Sequence, residues 1–310
     1  MTTLMYQSPD DPVELWLPAL EQAMPELEVR VYPDLGDRSE IEYALVYKPP
    51  RGLLASLPKL RMIQSIAAGC DHILADPELP EGIPICRMVD DYLRDMMSEW
   101  ALYAVLHFHR DFPDYRDDQA RAVWNRRWPL YTPETDVGVL GLGAIGTDIA
   151  RKLAVMGFRV HGWSGSPKQI DAVTSHTGAD GLDALLRQCR YLVNVLPLTE
   201  QTRGILSRDT LAKMPAGSFV INLGRGGHVV DEDLLAALDN GHIAGAFLDV
   251  FNSEPLPAEH AYWSHPRVWV TPHVAGELVP RSCAKTAVAN IRRDLAGEPL
   301  LHRLDRDRGY

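Results

Sequence analysis

Arg225, Glu254 and His273 are the residues of this chain whose types and settings suit chemistry. Each comes just after an apolar, strand-like run. Arg225 stands between Gly224 and Gly226-Gly227 after Ser218 to Leu223, Glu254 follows "AFLDVFNS", and His273 follows "VWVTP". A guanidinium offers a planar fork that holds a carboxylate and polarises a carbonyl oxygen, and flanking glycines keep other side chains out of its way. A histidine passes a proton near neutral pH. A carboxylate on one ring nitrogen fixes its tautomer and favours its charged form, as the third member of a triad does. Singly, each reads as an ordinary residue: a surface arginine in a strand-to-helix turn, a satisfied turn histidine, a surface acid before Pro255.

A second constellation changes that reading. "VGVLGLGAIGTDIA", Val137 to Ala150, places Gly141, Gly143 and Gly146 in G-x-G-x-x-G spacing between an apolar strand and an apolar-faced helix. The first glycine permits the tight turn, the second lets a pyrophosphate approach the backbone, and the third lets helix and strand pack closely. The pyrophosphate would rest on amides at the helix start. At the end of the next strand a site built for NAD usually offers an acid to the ribose hydroxyls. Here the run is Trp163-Ser164-Gly165-Ser166-Pro167-Lys168. Its two hydroxyls and one lysine suit a 2′-phosphate, so NADPH is favoured, with NAD still possible. With a dinucleotide beside them, Arg225, Glu254 and His273 suit hydride transfer to a small 2-keto acid.

The elements that must position these groups alternate. Short β-type runs at Leu4–Tyr6, Val29–Tyr32, Tyr43–Tyr47, Arg61–Ile66 and Ile83–Cys86 enclose a helical period from Val13 to Met24. A long helical stretch, about Asp95 to Arg110, leads to Pro129 and Pro133. Six further strand signals follow: Asp136–Leu140, Arg159–Trp163, Tyr191–Leu196, Ser218–Leu223, Ala244–Val250 and Val268–Thr271. A last helix spans roughly Pro280 to Leu295. Strand–helix alternation means βαβ units and parallel sheets, hence an α/β chain of two Rossmann- or flavodoxin-like lobes. In an open sheet of this kind ligands bind beyond the carboxyl ends of the strands, where all three chemical residues fall.

Composition excludes other classes. The 310 residues are 46% hydrophobic and 24% charged, with a formal net charge of -11, which argues against nucleic acid as a partner. Arg121, Arg126 and Arg127, near Trp124 and Trp128, are interleaved with Asp111, Asp114, Asp117 and Asp118, as on a solvated or subunit-contact surface. Four cysteines without CxxC spacing suit a reducing compartment. No bilayer-length apolar run and no leader pattern is present, so the expectation is a cytoplasmic protein that does not enter the membrane. The histidines lack metal-ligand spacing; His107 and His109 lie on opposite helix faces or are simply exposed, and no metal is expected.

Several long segments resemble the D-isomer-specific 2-hydroxyacid dehydrogenase family. They are "SIAAGCDHI", "MSEWALYAVL", the GLGAIG loop, "NVLPLTEQTRGIL", "INLGRGGHVVDEDLLAALDNGHIAGAFLDVFNSEPLP" and "VTPHVAG", and together they cover most of the chain. "ALVYKPP", the "WSGSPK" turn, "HVVDEDLLAALD" and the closing "DRDRGY" are similar to a branch acting on glyoxylate and hydroxypyruvate. The resemblance implies Arg225, Glu254 and His273 as the catalytic set and Asp249 near the nicotinamide carboxamide. Cofactor contacts are implied at Gly141, Gly143, Ala144, Ile145, Gly146, Ser164, Lys168, Leu196 and Pro197. For the substrate it implies amides of the Ala68-Gly69 turn on its carboxylate, a nest for an anion, and Tyr47 where the branch tends to place a tryptophan. Gly165 and Pro167 stand where relatives commonly carry arginines. A cofactor lobe (97–278) inserted into a substrate-binding lid lobe (1–96 and 279–310) is implied, as is a homodimer formed by the long helix and the Trp124–Trp128 arm. Non-enzymatic dinucleotide sensors on the same scaffold keep the triad, so a sensor and a reductase of a bulkier 2-keto acid stay open as alternatives.

Overall fold

A computed structural model describes residues 2–306; Asp307–Tyr310, the end of the "DRDRGY" segment, lie outside the described residues. The chain divides into two compact units, Met1–Leu93 with Leu278–Tyr310, and Arg94–Glu277.

The first unit is built on β1 (Thr2–Gln7), β2 (Leu27–Val31), β3 (Tyr43–Val46), β4 (Met62–Ser65) and β5 (Ile85–Cys86). They pair in parallel in the order β2-β1-β3-β4-β5. Central strands of such a sheet are covered on both faces and read as unbroken apolar runs, and β3 is buried at every position. Successive side chains alternate faces. Leu4, Tyr6, Tyr43 and Leu45 pack with Trp16, Leu20, Val288 and Ile291, while Met5, Ala44 and Val46 pack with Leu54 and Ile63. The last helix, Pro280–Leu295, therefore belongs to the first unit's core. Proline at its first position costs no hydrogen bond there, and buried Asn290 donates from Nδ2 to Gln64 Oε1 of β4 at 2.9 Å.

In the second unit β6 (Asp136–Leu140), β7 (Arg159–Trp163), β8 (Val173–His176), β9 (Tyr191–Asn194), β10 (Ser218–Asn222), β11 (Ile243–Leu248) and β12 (Val268–Val270) form one sheet. Its order is β12-β11-β10-β9-β6-β7-β8 and every pairing is parallel. The direction of winding reverses between β6 and β9, the switch point where such sheets open a crevice. Register brings the seven carboxyl ends into one transverse row: His176, Trp163, Leu140, Asn194, Asn222, Leu248 and Val270 are successive partners.

Several details depart from the sequence reading. β8 carries only polar or half-exposed residues, VTSH, and as an edge strand needs no apolar run. A helix at Phe112–Ala120 lies in the acidic stretch, where Arg121 pairs with Asp118 at 2.8 Å and Arg127 also bonds Asp118. His109 is not exposed: it is 2% accessible, with Nε2 3.1 Å from Thr132 Oγ1 and Nδ1 3.4 Å from Tyr191 Oη. His107 sits edge-on to Trp269 at 5.0 Å. Among the described residues no helix is long and apolar enough to cross a membrane, and no group of three or more His, Cys, Asp or Glu is placed to hold a metal.

All four cysteines are buried, and burial pushes the Cys86, Cys189 and Cys283 thiols up to about 12. Thiolate is the reactive form. Ellman's reagent at mildly alkaline pH should therefore find no thiol in the folded protein and all four after denaturation; rapid labelling of any one would contradict this packing.

Candidate active site

The glycine loop leaves β6 directly into the helix Ala144–Val155. Its glycines do three different things. Gly141 has φ +101°, in the region that favours glycine, and its amide donates to Trp163 O at 2.8 Å. A Cβ on Gly146 would lie 1.7 Å from Gly141 O, so helix and turn touch backbone to backbone. A Cβ on Gly143 would meet nothing within 4 Å. Gly143 and Ala144 are exposed and Ile145 half-buried, at a helix start whose first-turn amides have no intrahelical acceptor. An open, uncharged cradle of this kind fits a pyrophosphate. Beyond β7, Ser164 is buried, with Oγ donating to Ser166 O at 2.8 Å, and Gly165 to Lys168 are exposed. Beyond β9, the amide of buried Leu196 donates to Asn194 Oδ1 at 3.3 Å, and Pro197 O accepts from Thr202 Oγ1 at 2.7 Å.

Arg225 lies in the loop after β10, half-buried, with Nη1 donating to Gly224 O at 2.8 Å. The glycines beside it serve a purpose other than clearance for its side chain. A Cβ on Gly226 would fall 1.8 Å from the carbonyl carbon of Phe251, and one on Gly227 would fall 2.9 Å from the Leu198 side chain. Gly226 lets the Arg225 loop press against the loop after β11, which carries Glu254, and Gly227 lets it press against Leu198 beyond β9.

Glu254 reaches in two directions. Oε1 accepts from the Phe251 amide at 3.0 Å, which closes its own loop, and Oε2 lies 2.9 Å from His273 Nδ1. A carboxylate can only accept here, so Nδ1 carries the proton and Nε2 is the nitrogen left for exchange with a ligand. His273 has φ +56°, a left-handed conformation uncommon outside glycine, though histidine is among the enriched exceptions.

Asp249, 1% exposed and one residue past β11, holds that conformation. Its Oδ1 accepts from Thr271 Oγ1 at 2.6 Å and Val274 N at 2.9 Å; its Oδ2 accepts from Ala275 N at 2.9 Å. The His273 amide donates to Asp249 O at 2.8 Å. Burial pushes the Asp249 carboxyl up, against the pull of these donors. Asp249 thus clamps the turn on both sides of His273.

In the first unit, Tyr47 is half-buried beyond β3, edge-on to His72 at 4.8 Å. Ala68 and Gly69 are half-buried in the turn after β4. Ser65 Oγ shapes that turn, accepting from Ala67 N at 3.1 Å and donating to Ala67 O at 2.9 Å.

Residues 102–275 match the family model of the D-isomer specific 2-hydroxyacid dehydrogenase NAD binding domain. A glyoxylate/hydroxypyruvate reductase A from Yersinia enterocolitica is 38% identical over 312 residues, 99% of each chain. This chain belongs to the D-isomer specific 2-hydroxyacid dehydrogenase family. Among solved structures, a family member from Xanthobacter autotrophicus Py2 in complex with NADPH and MES superposes with TM-score 0.96 at 41% identity, covering 100% of this chain and 99% of that one. An NADPH-dependent glyoxylate/hydroxypyruvate reductase from Sinorhizobium meliloti, in complex with NADP and sulfate, gives TM-score 0.94 at 37% identity over 100% of both chains.

The sequence reading passed over the polar groups beneath this dehydrogenase site. Asn194 and Asn222, both fully buried, close β9 and β10 in register. Asn194 Nδ2 donates to Asn222 Oδ1 at 2.9 Å, and Asn222 Nδ2 donates to Arg225 O at 3.0 Å. The signal was present: "YLVN" and "SFVIN" each end an apolar strand on asparagine.

Removing the Asp249 carboxylate tests the clamp. Asp249→Ala strands the buried Ala275 amide, the half-buried Val274 amide and the Thr271 hydroxyl, and should destabilise the protein by about 2–4 kcal/mol in urea unfolding; a loss below about 0.5 kcal/mol would show that the His273 turn holds without it.

Proposed function

We propose that this dehydrogenase is an NADPH-dependent reductase that converts small 2-keto acids, glyoxylate and hydroxypyruvate, to 2-hydroxy acids. One observation carries the reading: the Glu254–His273 pair at 2.9 Å stands beyond the same sheet edge as Arg225 and the glycine loop. The relatives named glyoxylate/hydroxypyruvate reductase A and the neighbours solved with NADPH or NADP support the substrate and cofactor classes.

Bound NADPH would supply a hydride to the keto carbon. Gly141, Gly143, Ala144, Ile145 and Gly146 would hold its pyrophosphate, Leu196 and Pro197 would line its path, and Ser164 and Lys168 would take the 2′-phosphate. Arg225 grips the substrate and draws electron density onto the keto oxygen, which becomes more acceptor-like as charge builds there. His273 gives that oxygen a proton from Nε2, and Glu254 stabilises the imidazolium and keeps the ring in place. Ala68, Gly69 and Tyr47 are assigned to substrate binding on the strength of the family resemblance and the shape of the Ser65 turn. Trp124 and Trp128, 101% and 80% exposed, suit a homodimer contact, and the reading places the enzyme in the cytoplasm.

The test is loss of reduced-nicotinamide absorbance with NADPH or NADH and either keto acid. NADPH with glyoxylate or hydroxypyruvate should turn over, and Arg225→Ala or His273→Ala should lower kcat/KM by about 10²–10⁴-fold. Lys168→Ala should weaken NADPH about tenfold and leave NADH unchanged. Tight NADPH binding with no turnover of either acid would favour the sensor or a bulkier substrate. Trp124→Asp should shift a dimer to monomer in analytical ultracentrifugation.

A further inference from the structure

His228 belongs to the "HVVDEDLLAALD" segment, is fully buried, and takes no part in the steps above. Its ring lies under the Arg225 loop so closely that a Cβ on Gly224 would stand 3.1 Å from its Cε1 and Nδ1. Nδ1 is 3.1 Å from the Arg225 amide and 3.0 Å from the Arg225 carbonyl. Nε2 is 3.2 Å from the carbonyl of Pro197, which also accepts from Thr202 Oγ1 at 2.7 Å.

These contacts fix the tautomer. A carbonyl cannot donate, so Nε2 carries the proton toward Pro197. The bare Nδ1 then accepts from the Arg225 N–H, while the Arg225 carbonyl accepts from Asn222 Nδ2 at 3.0 Å. A core histidine kept only for volume would need neither bond. Here one ring uses both nitrogens, on backbone groups of two segments about thirty residues apart in sequence (Pro197 and Arg225).

We infer that His228 is a positioning residue that ties the Arg225 backbone to the Leu196–Pro197 segment, so that keto-acid binding and dinucleotide binding are set through a single buried imidazole. This rests on the reductase reading for the roles of the two segments. The ring splits into two halves that substitution can separate. Asparagine offers an acceptor near the Nδ1 position but cannot reach Pro197. Glutamine reaches the Nε2 position but leaves the Arg225 amide.

The experiment measures three quantities for wild type, His228→Asn, His228→Gln and His228→Phe: NADPH affinity by titration calorimetry, steady-state kinetics with hydroxypyruvate, and melting temperature. His228→Asn should keep the keto-acid KM within about twofold and weaken NADPH about five- to tenfold, the equivalent of one lost hydrogen bond. His228→Gln should do the reverse, and His228→Phe should lose both. Histidine-selective ¹⁵N NMR of the wild type should show the His228 signal, identified by its loss in His228→Gln, as neutral with the proton on Nε2. Equal effects of Asn and Gln on both quantities, no effect of either beyond a lower melting temperature, or a proton on Nδ1 would overturn the assignment. A wild type that turned over no keto acid would sink the reductase reading, whereas the contrast between Asn and Gln in NADPH affinity would still decide the role of His228.

Discussion

Seven parallel strands that stop on one row create a difficulty before they create a site. At that edge the ladder ends, so backbone groups just beyond it lose their sheet partners while still inside the protein, where an unpaired polar group costs on the order of 1–3 kcal/mol. The row His176–Trp163–Leu140–Asn194–Asn222–Leu248–Val270 is therefore followed by side chains that act as surrogate backbone. Asn194 serves the Leu196 amide, Asn222 serves Gly224 N at 3.2 Å and Arg225 O, and Asp249 serves Val274 and Ala275. The loops that carry chemistry are defined because these buried groups leave them few alternative hydrogen-bonding arrangements.

The same economy explains the conformation of His273. A left-handed backbone at a residue with a Cβ is tolerated when the surroundings over-determine it. Three donors on one carboxylate do so here, with the His273 amide itself bound to Asp249 O. The turn aims Nδ1 at Glu254, which leaves Nε2 as the nitrogen for proton exchange. Asp249 thus works through geometry at His273 as well as through any contact with a cofactor, and its single negative charge stays buried because donors surround it.

How much of this was legible in the sequence depends on which physical signal each feature leaves. In the second unit β6 and β7 begin and end as the sequence suggests, whereas β8 escaped because an edge strand needs neither a buried face nor β-branched residues throughout. Strands β9 to β12 end a residue or two earlier than their apolar runs: Val195 and Leu196 are apolar yet already belong to the loop, since the register row sets where pairing stops. Residue types marked Arg225, Glu254 and His273, and glycine spacing marked the cradle. Asn194 and Asn222 were quieter, because a polar residue closing a strand looks like the start of any loop until register shows that it is buried, and His228 was quieter because it sits in the turn after β10, where a histidine reads as an ordinary loop residue.

Gly226 shows why motif and mechanism can share a residue and differ on the reason. From sequence, glycine beside arginine suggests room for a side chain. In the fold, the room is taken up by backbone: Gly226 meets Phe251 and Asn252 so closely that any Cβ would overlap their main-chain atoms. That contact joins the loop carrying Arg225 to the loop carrying Glu254, whose carboxylate caps the Phe251 amide and holds His273. Three side chains from three loops are consequently referred to one another through main-chain contacts and buried polar bridges. A Cβ at position 226 would act on the base as well as on the arginine, because it would move the strut between them.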